Sequence, residues 1–162
     1  MRKIIIGVMG VGDKATSNDL ANAYKLGRTI AQQGWILLTG GRKAGVMDAA
    51  SQGAKSVDGL TIGILPGKDD GGISEAVDIA IFTDMGNARN NINVLSSDVI
   101  IACGIGAGTV SEIALALKSH KKVILLNQDE ESKVFFKKLS PDNVYIVENV
   151  EAAISKVKVI LR

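Results

Sequence analysis

The sequence has very few of the residues that form metal clusters or disulfides. Its 162 residues include one cysteine, Cys103, and one histidine, His120. A single cysteine cannot form a disulfide within the chain, and one cysteine with one histidine cannot supply the four ligands of a zinc site. We therefore expect no bound metal ion and a reducing, cytoplasmic location.

Aromatic residues and excess charge are also scarce. Six aromatic side chains make up 4% of the chain, and 19 basic residues stand against 17 acidic ones, which leaves a net charge of +2. Nucleic-acid binding normally requires concentrated positive charge or aromatic side chains on which bases stack. The composition therefore argues against nucleic acid as a ligand, and also against a polybasic membrane anchor.

No apolar run in the sequence is long enough to cross a membrane. Residues 1–9 are basic and then apolar, but Gly10 and Gly12 interrupt the run, which makes it too short for a secretory signal or a membrane span. We interpret it as the first β-strand. The length and the 46% hydrophobic content predict a single globular domain over residues 1–162.

Short apolar segments alternate with longer segments of helical periodicity. Runs rich in Val and Ile predict seven strands, at residues 4–9, 35–39, 60–65, 77–82, 99–102, 123–126 and 144–147. Apolar spacing of three and four predicts helices at residues 17–33, 45–55, 87–96, 109–119, 130–139 and 150–157. The alternation predicts an α/β fold, a Rossmann-like doubly wound sheet of about seven mostly parallel strands with helices on both faces.

Most glycines follow the predicted strands. Of the 18 glycines, 12 lie in loops that leave the carboxyl ends of strands: Gly10, Gly12, Gly40, Gly41, Gly45, Gly67, Gly71, Gly72, Gly86, Gly104, Gly106 and Gly108. In a parallel sheet these loops gather at one edge, where open α/β sheets bind ligands. Because glycine permits close backbone approach and helix N-termini offer free N–H groups, this edge is predicted to bind an anion such as phosphate.

The first of these loops matches a dinucleotide-binding pattern only in part. Residues 10–15 fit G-x-G-x-x-A, but the acidic residue that should bind ribose at the end of the second strand is replaced by Thr39-Gly40-Gly41-Arg42. The sequence also contains no Walker-type G-x-x-x-x-G-K-[ST] motif. We therefore expect neither NAD nor FAD, and nothing in the sequence indicates pyridoxal phosphate.

Two arginines lie close to glycine turns. Arg89 falls in the first turn of a predicted helix, where a cation opposes the helix dipole, so it is predicted to have an anionic ligand or a structural ion-pair partner. Arg42 and Lys43 follow Gly41 in a loop that enters a helix. These two cations form either a second anion site or a solvated turn.

The strongest signal in the sequence follows the fifth predicted strand. Gly104, Gly106 and Gly108 alternate with other residues and form a pattern typical of a backbone nest for an anion. Thr109 is predicted to open the next helix, and Glu112 lies where it would complete a capping box with it. A role of Glu112 toward a ligand is compatible with that capping role. The preceding Cys103 is interpreted as a small buried residue rather than a reactive thiolate.

These motifs together resemble the Lonely Guy and "lysine decarboxylase-like" superfamily. The resemblance rests on Thr39-Gly40-Gly41 with Gly45 and Met47, on residues 85–89, and on Gly106-x-Gly108-Thr109-x-x-Glu112, and it spans residues 4–126. Within the superfamily the chain is most similar to the molybdenum cofactor carrier branch. The resemblance implies a non-enzymatic protein that stores and protects the phosphorylated molybdopterin cofactor, forms homodimers or homotetramers, and has molybdenum-enzyme apoproteins as further partners.

The cofactor-binding residues predicted on this basis are those of the glycine loops and their charged neighbours. They are Gly10, Gly12, Gly40, Gly41, Arg42, Gly45, Met47, Arg89, Gly104, Gly106, Gly108, Thr109 and Glu112.

The same resemblance supplies an enzymatic alternative. Lonely Guy enzymes hydrolyse the N-glycosidic bond of cytokinin nucleoside 5′-monophosphates, using an arginine and the glutamate of a P-G-G-x-G-T-x-x-E motif, which correspond by position to Arg89 and Glu112. This chain has Gly104-Ile105-Gly106 in place of Pro-Gly-Gly, and Asn90 in place of the basic residue that follows the arginine. These departures favour the carrier hypothesis over phosphoribohydrolase activity.

Overall fold

One parallel sheet forms the centre of the molecule. A computed structural model describes residues 2–162, and the strands lie in the order β4-β3-β2-β1-β5-β6-β7, each parallel to its neighbours. Their bounds are β1 Ile5–Gly10, β2 Ile36–Thr39, β3 Thr61–Leu65, β4 Ile79–Phe82, β5 Val99–Cys103, β6 Val123–Leu126 and β7 Val144–Val147. The predicted fold class is confirmed, and every strand pair is parallel.

Helices cover both faces of the sheet. They are α1 Ser17–Gln32, α2 Gly45–Lys55, α3 Asn90–Ser96, α4 Ala107–Lys118, α5 Glu130–Leu139 and α6 Val150–Ile160. Side chains of α1, α2 and α6 share one apolar core with alternate strand residues such as Val8 and Ile101, while α3, α4 and α5 share the other with Met9 and Ile100. This alternation follows from the two-residue period of a β-strand.

The sheet reverses its direction of growth between β1 and β5. From β1 the chain adds β2, β3 and β4 on one side, and then returns to place β5 against the other side of β1. The register pairs Gly10 with Cys103, so the carboxyl ends of these two central strands lie side by side. Because the connections after them run to opposite faces, the loops diverge and leave a crevice at this point.

Helices α1 and α2 touch backbone to backbone. A Cβ atom added to Gly27 would lie 1.8 Å from the carbonyl oxygen of Ala50, and one added to Gly53 would lie 1.9 Å from that of Tyr24. The same close packing continues to the start of α2, where a Cβ on Gly45 would lie 2.1 Å from the carbonyl oxygen of Gly12. The entry of α2 is thereby held against the loop that follows β1.

The predicted helix 87–96 is wrong at its start, because a separate turn precedes it. Gly86–Arg89 forms a 3-10 helix, and α3 begins at Asn90. Asp84 and Gly86 both have positive φ, and the N–H of Gly86 donates to the carbonyl oxygen of Pro66 at 2.9 Å. That contact with a distant loop sets the turn, which helical periodicity alone does not reveal.

The β3–β4 connection is a long loop without a helix, and β4 forms an open edge of the sheet. Ile79, Ile81 and Phe82 on this strand are more than 40% exposed. Within residues 2–162, no helix combines the length and apolar character needed to cross a membrane.

Candidate anion-binding cleft

A cleft of about 350 Å³ opens at the point where the sheet reverses direction. The loops after β1, β2, β4 and β5 contribute its walls. Its lining residues are Gly10, Val11, Gly12, Asp13, Lys14, Arg42, Met47, Asn87, Arg89, Asn90, Gly106, Ala107, Gly108, Thr109 and Glu112.

The N-terminus of α4 supplies free hydrogen-bond donors to this cleft. Gly106 is the N-cap with extended backbone, and the first intrahelical bond runs from the N–H of Val110 to the carbonyl oxygen of Gly106 at 2.9 Å. The N–H groups of Ala107, Gly108 and Thr109 therefore have no acceptor within the helix. Together with the positive end of the helix dipole, they form a site suited to an anion.

The side chain of Thr109 adds a further donor. This residue is 2% exposed, and its Oγ1 is buried without a hydrogen-bond partner in the described part of the chain. A buried hydroxyl without a partner is unusual in folded proteins and calls for an explanation. A ligand oxygen in the cleft would satisfy it.

The predicted capping box between Thr109 and Glu112 is wrong. Helix α4 begins two residues earlier than predicted, so Thr109 occupies the third helical position and Glu112 lies a turn further along. The carboxylate Oε1 of Glu112 accepts a hydrogen bond from Nδ2 of Asn93 at 2.9 Å instead. A capping box does occur at the start of α1, where Thr16 and Asp19 exchange hydrogen bonds.

The guanidinium of Arg89 is buried in the cleft wall, with 7% of the residue exposed. Its NH1 group donates to Oδ1 of Asn90 at 2.8 Å, and NH2 donates to the carbonyl oxygen of Gly40 at 3.4 Å, whereas Nε is buried without a partner among residues 2–162. Burial lowers the pKa of Arg89, the charge of Glu112 opposes this, and Arg42 lowers the pKa further. A buried cation with an unused donor beside a second arginine is well suited to bind an anion.

Glu112 lies in the same cleft but contributes less negative charge than its type implies. Burial raises its pKa to about 7, while the hydrogen bond from Asn93 and the charge of Arg89 act in the opposite direction. The carboxyl group is therefore partly protonated near neutral pH. This reduces its repulsion of an anionic ligand and leaves a proton for hydrogen bonding.

Arg42 lines the cleft, and its backbone contacts the β3–β4 loop. Its backbone pairs with Ile73 in an isolated antiparallel bridge, and the N–H of Lys43 donates to the carbonyl oxygen of Gly72 at 2.8 Å. The Lys43 side chain forms an exposed ion pair with Glu75 at 2.6 Å. Both side chains are exposed, but only Arg42 lines the cleft, whereas Lys43 is engaged in its ion pair outside the cleft lining.

The structure brings most of the predicted site residues together. Nine line the cleft: Gly10, Gly12, Arg42, Met47, Arg89, Gly106, Gly108, Thr109 and Glu112. Four are not among the lining residues, namely Gly40, Gly41, Gly45 and Gly104, but a Cβ added to any of them would lie less than 3 Å from a neighbouring atom. Gly40, for example, packs against Arg89, since a Cβ would lie 2.9 Å from NH2.

Other lining residues were not singled out as site residues from the sequence. These are Val11, Asp13, Lys14, Asn87, Asn90 and Ala107. Val11, Asp13, Lys14 and Ala107 fall inside the glycine loops, so the loop boundaries were the available signal. Asn90 is marked in the sequence only by its position after Arg89. Its side chain accepts from Arg89 and donates to Oγ of Ser111 at 2.8 Å, a contact across 21 positions that the sequence does not reveal.

Cys103 is buried at the end of β5 and does not line the cleft. Its thiol donates to the carbonyl oxygen of Asp19 at 3.6 Å, and burial raises the pKa of Cys103 to about 12. A thiol with so high a pKa is not a reactive thiolate. The interpretation as a small buried residue is confirmed.

The strand order, the cleft at the reversal of the sheet and the glycine-rich helix start define a Rossmann-like class of α/β protein. More specifically, the sequence profile of the SLOG cluster4 family matches residues 3–154, and the chain belongs to this family.

Solved structures similar to this chain include a molybdenum cofactor binding protein and a molybdenum cofactor carrier protein. The molybdenum cofactor binding protein of the phototrophic bacterium Rippkaea orientalis is 62% identical, with a TM-score of 0.98, and the match covers 100% of this chain and 99% of that one. The molybdenum cofactor carrier protein of Chlamydomonas reinhardtii is 52% identical, with a TM-score of 0.95 and 99% of both chains covered. The predicted similarity to the carrier branch is confirmed.

An archaeal protein is also similar in sequence. An uncharacterized protein of Archaeoglobus fulgidus is 48% identical over 126 residues, which is 78% of this chain and 82% of the archaeal protein.

Proposed function

We propose that this protein is a non-enzymatic carrier that binds the phosphorylated molybdopterin cofactor in the cleft, stores it and protects it. The observation that carries the proposal is a pair of buried donors that have no partner within residues 2–162, Thr109 Oγ1 and Arg89 Nε. Both residues line one cleft together with the free start of α4. Similarity to a cofactor binding protein at 62% identity supports the choice of ligand.

The size and chemistry of the cleft suit such a ligand. A volume of about 350 Å³ lies within the range of small-molecule sites. The phosphate would accept hydrogen bonds from the N–H groups of Gly108 and Thr109 and from the Thr109 hydroxyl. Arg42 and Arg89 would balance the remaining negative charge of the ligand.

We further propose a cytoplasmic location, with molybdenum-enzyme apoproteins as recipients of the cofactor. A buried thiol and the absence of a second cysteine suit a reducing compartment. The cleft is open to solvent on its outer side, where Asp13 and Lys14 are exposed. This opening would allow the cofactor to be handed on.

Assembly into homodimers or homotetramers is also part of the proposal. On α3 and α4, Val94, Ile113 and Leu117 are buried in the core of the single chain, and Ile92 and Leu115 pack against it. Leu95 is 52% exposed, and β4 exposes further apolar side chains. Sedimentation equilibrium tests the proposal, and a single-chain mass at micromolar concentration would contradict it.

The binding test uses cofactor released from a molybdenum enzyme under anaerobic conditions. We expect the purified protein to retain about one cofactor per chain through gel filtration and to slow its oxidation in air. The Arg89→Ala variant should lose most of the bound cofactor. Arg28→Ala, which removes an exposed arginine on α1, is the matched control and should bind normally. A wild-type protein that neither retains nor protects the cofactor would refute the carrier function.

One observation keeps the hydrolase alternative open to test. Glu112 has a pKa raised to about 7 and lies in the same cleft as Arg89, and a carboxyl group with that pKa is suited to general acid–base chemistry. Incubation with a panel of nucleoside 5′-monophosphates, followed by chromatography, tests it. Free base released by wild type, and lost in both Arg89→Ala and Glu112→Ala, would support hydrolysis and count against a purely carrying role.

A further inference from the structure

We infer that Gln128 is a positioning residue that fixes the anion-binding helix start through Gly104, an inference that rests on the anion binding proposed above. Gln128 is not among the residues that line the cleft. It follows β6, at the turn into α5, and is 6% exposed.

The amide of Gln128 faces three backbone carbonyl groups. Its Nε2 donates to the carbonyl oxygen of Gly104, and it lies 3.4 Å from those of Ala102 and Leu126. Because all three are acceptors, only the amide nitrogen can face them, which fixes the orientation of the side chain.

The amide of Gln128 makes these contacts through its nitrogen alone, among the residues that the structure describes. Oε1 of Gln128 is buried and has no hydrogen-bond partner in the described chain. An apolar side chain of similar size would fill the same space without burying an oxygen that lacks a partner. The donor of Gln128 is therefore the feature that distinguishes it from a simple core residue.

Gly104 is enclosed on its other side by Asp19. Its φ is +70°, and an added Cβ would lie 2.7 Å from Oδ1 of Asp19. Its N–H donates to the carbonyl oxygen of Leu126 at 3.2 Å. The peptide of Gly104 is thus held between the α1 carboxylate and the turn that follows β6.

The turn that follows β6 also fixes the carboxylate of Asp19. Asn127, which directly precedes Gln128, donates from Nδ2 to Oδ1 of Asp19 at 2.7 Å. Thr16 donates to the other carboxylate oxygen from its N–H at 2.9 Å and from its hydroxyl at 2.8 Å. Asn127 and Gln128 therefore hold both sides of Gly104.

This arrangement matters because the anion donors belong to the backbone. Gly106 and Gly108 have no side chains with which to anchor the start of α4, and Gly104 lies only two residues before the N-cap. The direction of the free N–H groups depends on the path of residues 104–106. Donors held in place before binding lose less free energy on binding than mobile ones.

The test compares inorganic phosphate binding by wild type and Gln128→Met, a nearly isosteric change that removes the donor. Calorimetry measures the affinity, and ¹H–¹⁵N spectra follow the amide signals of Ala107, Gly108 and Thr109. Loss of one hydrogen bond should raise the phosphate dissociation constant roughly fivefold and shift these signals in the free protein. Gln52→Met, the same change at an exposed position of α2, is the control and should have no effect.

A second variant, Gln128→Glu, retains the shape and turns an acceptor toward the three carbonyl groups. It should weaken phosphate binding more than Gln128→Met does. If either folded variant has a lower melting temperature but an unchanged phosphate affinity and unchanged amide signals, Gln128 is only structural and the inference is wrong. If wild type itself binds neither phosphate nor cofactor, the proposed function fails, and the inference fails with it.

Discussion

Asn93 donates a hydrogen bond from Nδ2 to Oε1 of Glu112 at 2.9 Å and so joins α3 to α4 in the wall of the cleft. Asn93 is fully buried, and its own Oδ1 has no partner among the described residues. A neutral amide compensates a buried carboxylate less than a directly paired cation would. Burial therefore dominates, and the pKa of Glu112 rises to about 7.

The raised pKa makes stability depend on pH with a defined sign. The pKa of Glu112 is about 7 in the folded protein against an ordinary value of 4.5. Below pH 4.5 the Glu112 carboxyl group is protonated in both the folded and the unfolded protein, so its titration does not change the free energy of unfolding. As the pH rises toward 7, only the folded state retains the proton, so the free energy of unfolding falls by about 3 kcal/mol in total.

The Glu112→Gln variant should lose this dependence. Urea unfolding of both proteins at a pH near 5 and a pH near 8 measures it, since other titrating groups are common to the two proteins. We expect the variant to gain stability relative to wild type at the higher pH only. An equal pH dependence in the two proteins would show that Glu112 titrates normally.

Substitution of Arg89 should weaken anion binding whatever replaces it. Arg89→Ala removes a buried cation, and we expect the phosphate dissociation constant to rise at least about tenfold. Arg89→Lys retains the charge but cannot reproduce the contacts of NH1 and NH2 with Asn90 and Gly40. Its phosphate affinity should therefore be little higher than that of Arg89→Ala. Calorimetry with Arg28→Ala as control checks this, and full recovery in the lysine variant would show that charge alone is sufficient.

Thr109→Val should separate binding from stability. The change keeps the side-chain shape but removes a buried hydroxyl that has no partner in residues 2–162. The free energy of unfolding should stay the same or rise by up to about 1 kcal/mol, while phosphate affinity falls. Unfolding curves and calorimetry on the same protein measure both. A large loss of stability would show that the hydroxyl has a structural role instead.

The strands could be predicted from the sequence because a parallel sheet is buried on both faces. In β2, β5 and β6 every residue is buried, and the sequences of such strands are continuous, mainly apolar runs. The starts of two helices could not be predicted correctly from the sequence. The 3-10 turn at Gly86–Arg89 depends on a hydrogen bond to Pro66, and the position of Thr109 in α4 depends on Gly106 acting as the cap.

In the cleft, glycines and arginines could be predicted, but the supporting amides could not. Glycine loops after strands and cations near helix starts have local signals. Asn93 and Gln128 act on residues 19 and 24 positions away, namely Glu112 and Gly104, and no spacing in the sequence marks those pairs. Their roles exist only once the fold has brought the elements together.

The contact between α1 and α2 predicts that a glycine-to-alanine substitution there destabilises the protein, whereas helix propensity alone predicts that it stabilises. Alanine in place of an exposed helical glycine normally stabilises by up to about 1 kcal/mol. At Gly27, however, the new methyl group would lie 1.8 Å from the carbonyl oxygen of Ala50 and would force the helices apart. We expect Gly27→Ala to lower the free energy of unfolding by about 3 kcal/mol, because backbone cannot yield as a flexible side chain does.

The matched control for this change is Gly108→Ala, at a helical glycine with nothing within 4 Å of the added Cβ. It should leave stability unchanged or raise it slightly, as measured by urea unfolding. Gly53→Ala, which meets the carbonyl oxygen of Tyr24 at 1.9 Å, should behave like Gly27→Ala. The start of α2 packs against the loop after β1, and this loop lines the cleft. Separation of α1 and α2 should therefore also weaken phosphate binding in Gly27→Ala and Gly53→Ala. If Gly27→Ala were as stable as wild type, α1 and α2 would not be in backbone contact in solution.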